Sequence, residues 1–597
     1  MQNSEHTFHI PVMGLGYTID SPLKVARFGI SSVISIIEDD LVEQMREYHC
    51  KNEGIPYQKI EKEDIDFRSK RICSYLNLIN SMVNKQLEKL KKEDFVEGNE
   101  IVKYFELLPD VSNLRKEYFL MLEENDPFEK INKQNELREK IVAGKIDVNI
   151  MTKCDRTNYD ADGNELQKEY SDAMSALRGF ALSDLNASVV FSAGMNPRLY
   201  TYCENFEDFT KIEEGSFKKR IILKVSDYRS AMIQGKFLAK KGLWVSEFRI
   251  ESGLNCGGHA FPTNGLLLGP ILEEFKLNKI ELKNILFEMF NVAIKEKSSK
   301  NLQFDSTIRI SVQGGIGTSF ENEFLMNYYD IDYTGWGSPF LLVPEATNVD
   351  EQTLQALVNA KKEDYYLSLA SPLGIPFNNF RVTSSQEQKK QRIDSNKPGS
   401  PCYKKFLSFN TEFTSKAICL ASKSYQKHKL KELESVDMSD DLRKIVKAEL
   451  LEKECLCEGL VNSVLIKNDI KPLYNITAVS ICPGPNLAYF SNTFSLRQMV
   501  NHIYGRINIL NNLNRPNLFV NELIMYSDYL KIELKKYLLE STQNKRKYLQ
   551  EFKTNLLSGI EYYVQLIPNM KLTTKLEESS FLDALNFHKM ELSKIEL

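Results

Sequence analysis

The sequence predicts an α/β chain whose first 375 residues form a closed (β/α)8 barrel, followed by a mainly α-helical C-terminal domain. Strand and helix patterns alternate through eight strands before residue 375, and strand patterns fade after residue 377. This alternation favours a parallel sheet over a sandwich, and eight strands favour closure into a barrel. A doubly wound open sheet is the alternative fold, since periodicity alone does not exclude it.

The chain opens with a strand, a glycine turn, a short helix and a second strand. An apolar run ending at Met13 precedes Gly14, and Ser21-Pro22 marks a helix start because proline suits the first helical turn. The apolar run 31–37 is predicted as the second strand.

A helical insertion is predicted after this second strand, over residues 38–141. Its sequence is rich in Lys and Glu, with apolar residues at helical spacing. An insertion at this point lies at the carboxyl-terminal face of a barrel, where it can serve as a lid or admit a bulky substrate.

The remaining barrel elements are predicted as alternating strands and helices. The strands are 146–151, 189–192, 221–225, 243–250, 307–313 and 333–343; the helices are 170–182, 228–240, 280–295, 323–329 and 350–360. We therefore predict two domains, a barrel over residues 1–375 and a helical domain over residues 376–597 that contains a long helix near 521–557.

Charge, apolar runs and cysteine content limit the classes of protein to which the chain can belong. The 597 residues carry a formal net charge of -4, which gives no reason to expect a nucleic-acid partner. The N-terminus lacks the pattern of a secretion signal, and no apolar run approaches the roughly 20 residues needed to span a bilayer. Ten scattered cysteines indicate reduced thiols. We expect a soluble cytoplasmic protein, and the sequence leaves its oligomeric state open.

Two glycine-rich turns follow the last two predicted strands. One contains Gly314-Gly315 and the other contains Gly337-Ser338. Backbone N–H groups in such turns can bind a phosphate, and barrels commonly build a phosphate site after their seventh and eighth strands. The pair therefore favours a phosphate site over the alternative of two unrelated tight turns.

A third turn, Gly257-Gly258-His259, follows the sixth predicted strand. A histidine at the carboxyl end of a barrel strand can meet a substrate and move a proton, because its pKa lies near neutrality. The paired glycines leave room for a flat cofactor. The alternative is a structural histidine in a glycine turn.

For two further motifs, the sequence leaves two interpretations open. Cys455 and Cys457, with Cys402, Cys419 and Cys482, are either thiolate ligands of a metal or free buried thiols, and the C-x-C spacing favours free thiols. Asp155-Arg156, just after the third strand, is either an anion contact in the active site or a surface pair.

The ordered motifs resemble the nitronate monooxygenase and 2-nitropropane dioxygenase family, flavin-dependent barrels that include one type of enoyl-acyl-carrier-protein reductase. The matching segments are 10–16 with Ser21-Pro22, 148–150, 257–259, 314–316, and 337–340 before Pro344-Glu345. These segments follow the family's order and spacing, and the resemblance covers about 240 of the first 375 residues.

The resemblance implies an FMN across the carboxyl-terminal mouth of the barrel, with His259 as the catalytic base. In that arrangement Met13, Gly14 and Asn149 contact the ring or ribityl chain, and Gly258 leaves room for the ring. The phosphate is then held by Gly314, Gly315, Gly337 and Ser338.

The implied function is an FMN-dependent oxidoreductase acting on a small-molecule or acyl substrate, nearest to nitronate monooxygenase. One alternative is an NAD(P)H-dependent flavin reductase of the enoyl type; another is a non-catalytic flavin-binding or assembly protein. The chain departs from the family in its large insertion, its long C-terminal extension and the Asn255-Cys256 pair before Gly-Gly-His.

Overall fold

Eight parallel strands close into a barrel in chain order. The computed structural model describes residues 5–160, 162–192, 194–213, 215–256, 263–297, 304–474, 476–539, 542–572 and 574–597. The barrel strands are β1 (Phe8–Ile10), β2 (Ser31–Ser35), β3 (Ile146–Met151), β4 (Ala187–Ser192), β5 (Lys219–Val225), β6 (Val245–Glu251), β7 (Arg309–Gln313) and β8 (Tyr333–Gly335). Pairing of Phe8 with Thr334 closes the barrel between β1 and β8. The predicted closed barrel is confirmed, and the open-sheet alternative is not observed.

Helices surround the barrel, and five of them form the insertion between β2 and β3. The helices before residue 360 are α1 (Ser21–Val25), α2 (Asp39–Asn52), α3 (Phe67–Lys91), α4 (Glu100–Leu107), α5 (Asn113–Leu122), α6 (Pro127–Lys140), α7 (Asp172–Ala181), α8 (Pro197–Tyr202), α9 (Tyr228–Ala239), α10 (Leu268–Lys297), α11 (Ser319–Tyr329) and α12 (Glu351–Val358). Local sequence sets the starts of these helices: the Glu38 carboxylate accepts the Leu41 N–H at the start of α2, and Asp126 caps α6 ahead of Pro127.

Several predicted strands are shorter than expected, and the first and last differ in ways that affect the site. The run 333–343 forms a strand only at β8, and the chain then turns into a 3-10 helix, Ser338–Leu342, in which Pro339 is favoured because its missing backbone donor is not needed in a first turn. The first strand ends at Ile10, so Met13 and Gly14 belong to the loop above it.

The C-terminal region is mainly helical, as predicted, and begins with an antiparallel hairpin. The hairpin strands are β9 (Tyr365–Ser368) and β10 (Phe377–Phe380); the helices are α13 (Ser384–Asp394), α14 (Lys423–Ser435), α15 (Asp440–Glu452), α16 (Leu456–Lys467), α17 (Leu496–Ile503), α18 (Leu518–Leu539), α19 (Gln543–Met570) and α20 (Lys575–Ser593). Within the described residues, no helix combines the length and apolar character needed to cross a bilayer.

The barrel interior contains a small aliphatic cluster as well as buried polar groups. Val12, Val33, Val190 and Ile222 form one small buried cluster. Lys224 lies two residues beyond Ile222 on β5, so it faces the same side of the strand one step closer to the mouth. Lys224 therefore lies beyond this cluster towards the mouth, and a second buried polar group within the barrel is formed by Arg249, Glu247 and Ser311.

Candidate active site

A cavity lies at the carboxyl-terminal mouth of the barrel. Strands β2 to β6 contribute Ser35, Asn149, Met151, Ser192, Lys224 and Glu251 to its wall, and the loop after β1 contributes Val12, Gly14 and Leu15. The C-terminal region covers it with Phe377, Phe406, Leu407, Leu456, Cys457 and Leu460. About 80 Å³ of the cavity admits the centre of a water-sized sphere, and the wider empty space, which includes open solvent, is about 800 Å³. Such a cavity, apolar with a few convergent polar groups, is typical of a small-molecule site.

A buried charged cluster forms part of this wall. Lys224 Nζ lies 2.5 Å from Glu251 Oε1, and both side chains are buried. Glu251 also accepts hydrogen bonds from Gln313 Nε2, at 2.7 Å, and from Asn255 Nδ2. These partners compensate the burial of the charged pair and fix a cation at the mouth, where it can bind an anionic substrate group or a developing oxyanion.

Asn149 is the predicted site residue that the structure places most clearly in the cavity. Its side chain is buried, and Oδ1 has no hydrogen-bond partner among the described residues. An unpartnered buried amide oxygen costs free energy, which a ligand donor such as a ring N–H would recover.

Gly14 also lines the cavity, whereas Met13 does not. Gly14 has φ +54, and a Cβ there would lie 2.9 Å from the Tyr17 ring and 3.5 Å from Leu460. Met13 is fully buried behind the cavity, beside the Gly337 turn. At Gly14 the loop presents backbone to the cavity, between the side chains of Val12 and Leu15.

The two glycine turns predicted to hold phosphate begin at the same level of the barrel, because the register pairs Gln313 with Gly335. The C-terminal region lies over both turns. Ser338 Oγ accepts the Gly484 N–H at 2.9 Å, and Arg515 Nη2 donates to the Gly315 carbonyl at 2.8 Å.

An internal carboxylate occupies the anion-binding end of the first turn. Glu321 Oε2 accepts the Gly317 N–H at 2.9 Å, and Glu321 Oε1 accepts the Leu518 N–H at 2.7 Å. Arg515 Nη1 lies 2.7 Å from Glu321 Oε1 in a buried pair. A Cβ at Gly315 would lie 2.7 Å from Leu518 Cδ1, so the protein's own side chains fill the space over this turn.

The residues present therefore fit the two ends of a flavin differently. The mouth offers the backbone of Gly14, the unpartnered amide oxygen of Asn149 and the buried Lys224, which suit the ring. The turns at Gly315 and Ser338 are closed by Gly484, Arg515 and Leu518, and in this arrangement they leave no room for a phosphate.

His259 and Gly258 lie outside the described residues, so the catalytic histidine stays a prediction. The residues just before them pack against the barrel. Asn255 donates a hydrogen bond to Glu251, and the buried Cys256 lies beside the Gly337 turn. This segment leaves β6 directly beside the polar cluster.

The Asp155-Arg156 pair has a structural role. Asp155 pairs with Arg198 at 2.5 Å, and Arg156 donates to the Lys404 carbonyl at 2.8 Å while lying beside the buried carboxylate of Asp172. Both side chains are thereby engaged within the protein and are not offered to an anion.

The hypothesis that the cysteines bind a metal has no geometric support within the described ranges. No group of three or more His, Cys, Asp or Glu side chains there has the arrangement of a metal site. All ten cysteines are free thiols.

Sequence reasoning missed Lys224 and Glu251. Their signal was present: each is a charged residue near the carboxyl end of a predicted strand, in the patterns Ile-Ile-Leu-Lys-Val and Phe-Arg-Ile-Glu. A charge at that position of a barrel strand points to the mouth.

No protein-family model and no curated protein matches the chain. Among solved structures, the enoyl reductase domain of MlnA from the macrolactin biosynthesis cluster of Bacillus amyloliquefaciens aligns with TM-score 0.33 and 12% identity, over 74% of this chain and 90% of that chain. FabK from Thermotoga maritima aligns with TM-score 0.30 and 11% identity, over 64% and 81%. Nitroalkane oxidase from Streptomyces ansochromogenes aligns with TM-score 0.29 and 9% identity, over 64% and 83%. Similarity at this level decides nothing about activity, which must be inferred from the site.

Proposed function

We propose that the chain is a flavin-dependent oxidoreductase whose active site is the cavity at the barrel mouth. One observation supports the proposal above all: Gly14, Asn149 and the buried Lys224 line the same cavity. The sequence resemblance assigns Gly14 and Asn149 to the flavin. A flavin bound there would supply the electron transfer that protein side chains do not provide.

The chain's own side chains would orient the bound groups and place a positive charge in the site. Asn149 Oδ1 offers an acceptor, and Lys224, held by Glu251, offers a fixed positive charge for an anionic group. His259 is proposed as the base that takes a proton from an acidic C–H, the role that the resemblance implies for it. The proposed substrate is a nitronate or a similar small or acyl compound, with an NAD(P)H-dependent enoyl-type reduction as the second reaction.

The proposed cofactor is FMN. Binding of its phosphate by the two turns requires that Gly484 and Arg515 leave their present contacts with Ser338 and Gly315. This closure favours a second candidate function, a barrel that binds no flavin and serves as a platform for the C-terminal region.

The visible absorption spectrum of the purified full-length protein separates the two functions. We expect a flavin spectrum, directly or after reconstitution with FMN, and identification of the released chromophore. Reduction by NADH or NADPH, or by a nitronate, then identifies the reaction. A colourless protein that no flavin reconstitutes would contradict the enzyme and favour the platform.

A further inference from the structure

A second cavity lies at the amino-terminal end of the barrel, opposite the mouth. Strands β1, β2 and β6 and the start of β3 contribute His9, Ser31, Lys145, Asp147, Glu247 and Arg249 to its wall. About 30 Å³ of it admits the centre of a water-sized sphere, and the wider empty space, which includes open solvent, is about 400 Å³. The enclosed part has room for about two water molecules or for one small ion.

Two cationic side chains in this wall have free donors. Arg249 binds Glu247 through Nε, at 2.9 Å, and through Nη2, at 2.8 Å, while its Nη1 has no partner among the described residues. Lys145 donates its backbone N–H to Ser31 Oγ at 3.0 Å, whereas its amine has no partner in the part of the chain that the structure describes. That amine is removed from water, since burial is the main cause that lowers the pKa of Lys145.

Two further cations lie close to Lys145. Arg309, at the start of β7, and Arg220, near the start of β5, lower its pKa further. Within the described ranges, the Arg309 guanidinium has no hydrogen bond or ion pair. Arg220 donates to neutral oxygens, the Asn186 side chain at 2.6 Å and the Phe217 carbonyl at 2.9 Å. Neither arginine is therefore neutralised by a bound carboxylate.

The carboxylates of the cavity do not balance these four cations. Asp147 and Glu247 are the two acidic side chains in the wall. Glu247 is already held by Arg249 and by the Ser311 hydroxyl, at 2.5 Å, and Asp147 accepts the Ser188 N–H at 3.0 Å. Four cations against two carboxylates leave an excess of two positive charges, and partly buried charges need a compensating partner.

Two carboxylates outside the cavity lie near Arg309, but each is accompanied by a lysine. Asp332 lies 3.2 Å from Lys279, and Lys283 helps to lower the pKa of Asp305, after the hydrogen bonds from Thr307 and the charge of Arg309. These pairs leave the excess charge at the end of the barrel unchanged.

His9 adds an unsatisfied polar atom to the cavity wall. Its side chain is 5% exposed, and Nε2 has no hydrogen-bond partner among the described residues. Burial, with a contribution from Arg249, lowers the pKa of His9 to about 3, so the ring is neutral at pH 7 and can donate one N–H. An anion in the cavity would accept that N–H in the tautomer that carries the proton on Nε2.

We propose that the amino-terminal cavity binds a small oxyanion, either a free inorganic ion or the carboxylate group of a small molecule. Its oxygens accept hydrogen bonds from Arg249 Nη1, the Lys145 amine and His9 Nε2, and two of these donors are charged. Arg220 and Arg309 supply the remaining positive field. This site lies at the opposite end of the barrel from the proposed flavin site, so the inference does not depend on the proposed function.

Calorimetric titration of the full-length chain at pH 7 tests the proposal. Inorganic phosphate and acetate are the two probes, added separately at an ionic strength held constant with sodium chloride. We expect at least one of them to bind with a dissociation constant of about 1 mM or lower. Tighter binding of phosphate would identify an inorganic ion as the ligand, and tighter binding of acetate a carboxylate. Binding of neither probe would overturn the proposal.

Lys145→Met assigns the bound ion to this cavity. The substitution removes one charged donor, so the affinity should fall about tenfold. Lys240→Met is the matched control, because Lys240 is an exposed lysine at the end of α9, just before β6, and its loss should change the affinity less than about twofold. Equal affinities of Lys145→Met and the wild-type chain would place the ion elsewhere and overturn the proposal.

Thermal unfolding in chloride alone separates this role from a structural one. Lys145 lies among like charges when no oxyanion is bound, so Lys145→Met should unfold at the same temperature as the wild-type chain or at a higher one. Addition of the bound probe should then raise the unfolding temperature of the wild-type chain more than that of the variant. A variant that unfolds at a clearly lower temperature in chloride, or does not fold, would show that the amine has a structural role and contradict the proposal.

Discussion

Arg515 and Glu321 lie 194 residues apart in the chain and form a buried ion pair with atoms 2.7 Å apart. The pair joins the segment before α18 to the first turn of α11, at the position where the resemblance expects a phosphate. Glu321 supplies the negative charge there, and Arg515 also reaches the Gly315 carbonyl at 2.8 Å. The C-terminal region is thus part of the barrel mouth.

Arg515→Ala should destabilise the fold strongly. It leaves the buried Glu321 carboxylate without its cation, which costs about 3–5 kcal/mol in the free energy of unfolding. Denaturant unfolding measures the loss. Lys444→Ala is the control, because its pair with Asp441 is exposed and should contribute less than about 1 kcal/mol. Equal losses in the two variants would show that the Arg515 pair does not hold the mouth closed.

Asn149→Ala should weaken flavin binding by about tenfold, or about 1.4 kcal/mol, without a comparable loss of stability. Its amide oxygen has no partner in the described protein, so its removal breaks no internal hydrogen bond at that atom. Quenching of flavin fluorescence measures the affinity, and thermal unfolding measures the stability. Unchanged affinity would remove Asn149 from the proposed site.

Gly315→Ala should destabilise the protein more than Gly163→Ala does. Both glycines have positive φ, of +80 and +84, so both substitutions carry a backbone cost of about 1 kcal/mol. At Gly315 the new Cβ would also lie 2.5 Å from Leu254 Cδ1, whereas at Gly163 it meets nothing within 4 Å. The overpacking adds about 1–3 kcal/mol. Chemical denaturation in the absence of flavin measures the difference, and equal losses would mean that the space over Gly315 is open.

The free energy of unfolding should fall as the pH rises towards the pKa of Glu522. Burial is the main cause that raises its pKa from 4.5 to about 7, although the Leu268 N–H and the Ser252 hydroxyl donate to the carboxylate. Between those two pKa values the folded state holds a proton that the unfolded state has lost, so folding is favoured at the acid end of this window. The contribution, up to about 3 kcal/mol, is lost as the pH rises towards 7.

Denaturant unfolding at a series of pH values between 4.5 and 8 measures this effect. Glu522→Gln should flatten the slope, because the amide does not titrate, while Glu551→Gln on the exposed face of α19 should leave the slope as in the wild-type chain. An unchanged slope in Glu522→Gln would assign the pH dependence to another group.

The barrel and its helical additions were predictable because they rest on local patterns. The spacing of apolar residues distinguishes strands such as 146–151 from helices such as 228–240, and the alternation implies parallel pairing. The predicted length of the last strand was wrong by several residues, because the chain leaves the sheet after Gly335 and forms a 3-10 helix over Ser338–Leu342.

Within the candidate site, the sequence by itself determined that Gly14 follows the first strand and that Asn149 lies on the third, and closure of the barrel brings both to one cavity. Only the tertiary structure decided what covers the glycine turns. The contacts of Arg515 with Glu321 and of Gly484 with Ser338 join segments more than a hundred residues apart, and no local periodicity encodes such contacts. They depend on how the C-terminal region packs against the barrel, which is set by the shape and burial of both surfaces together.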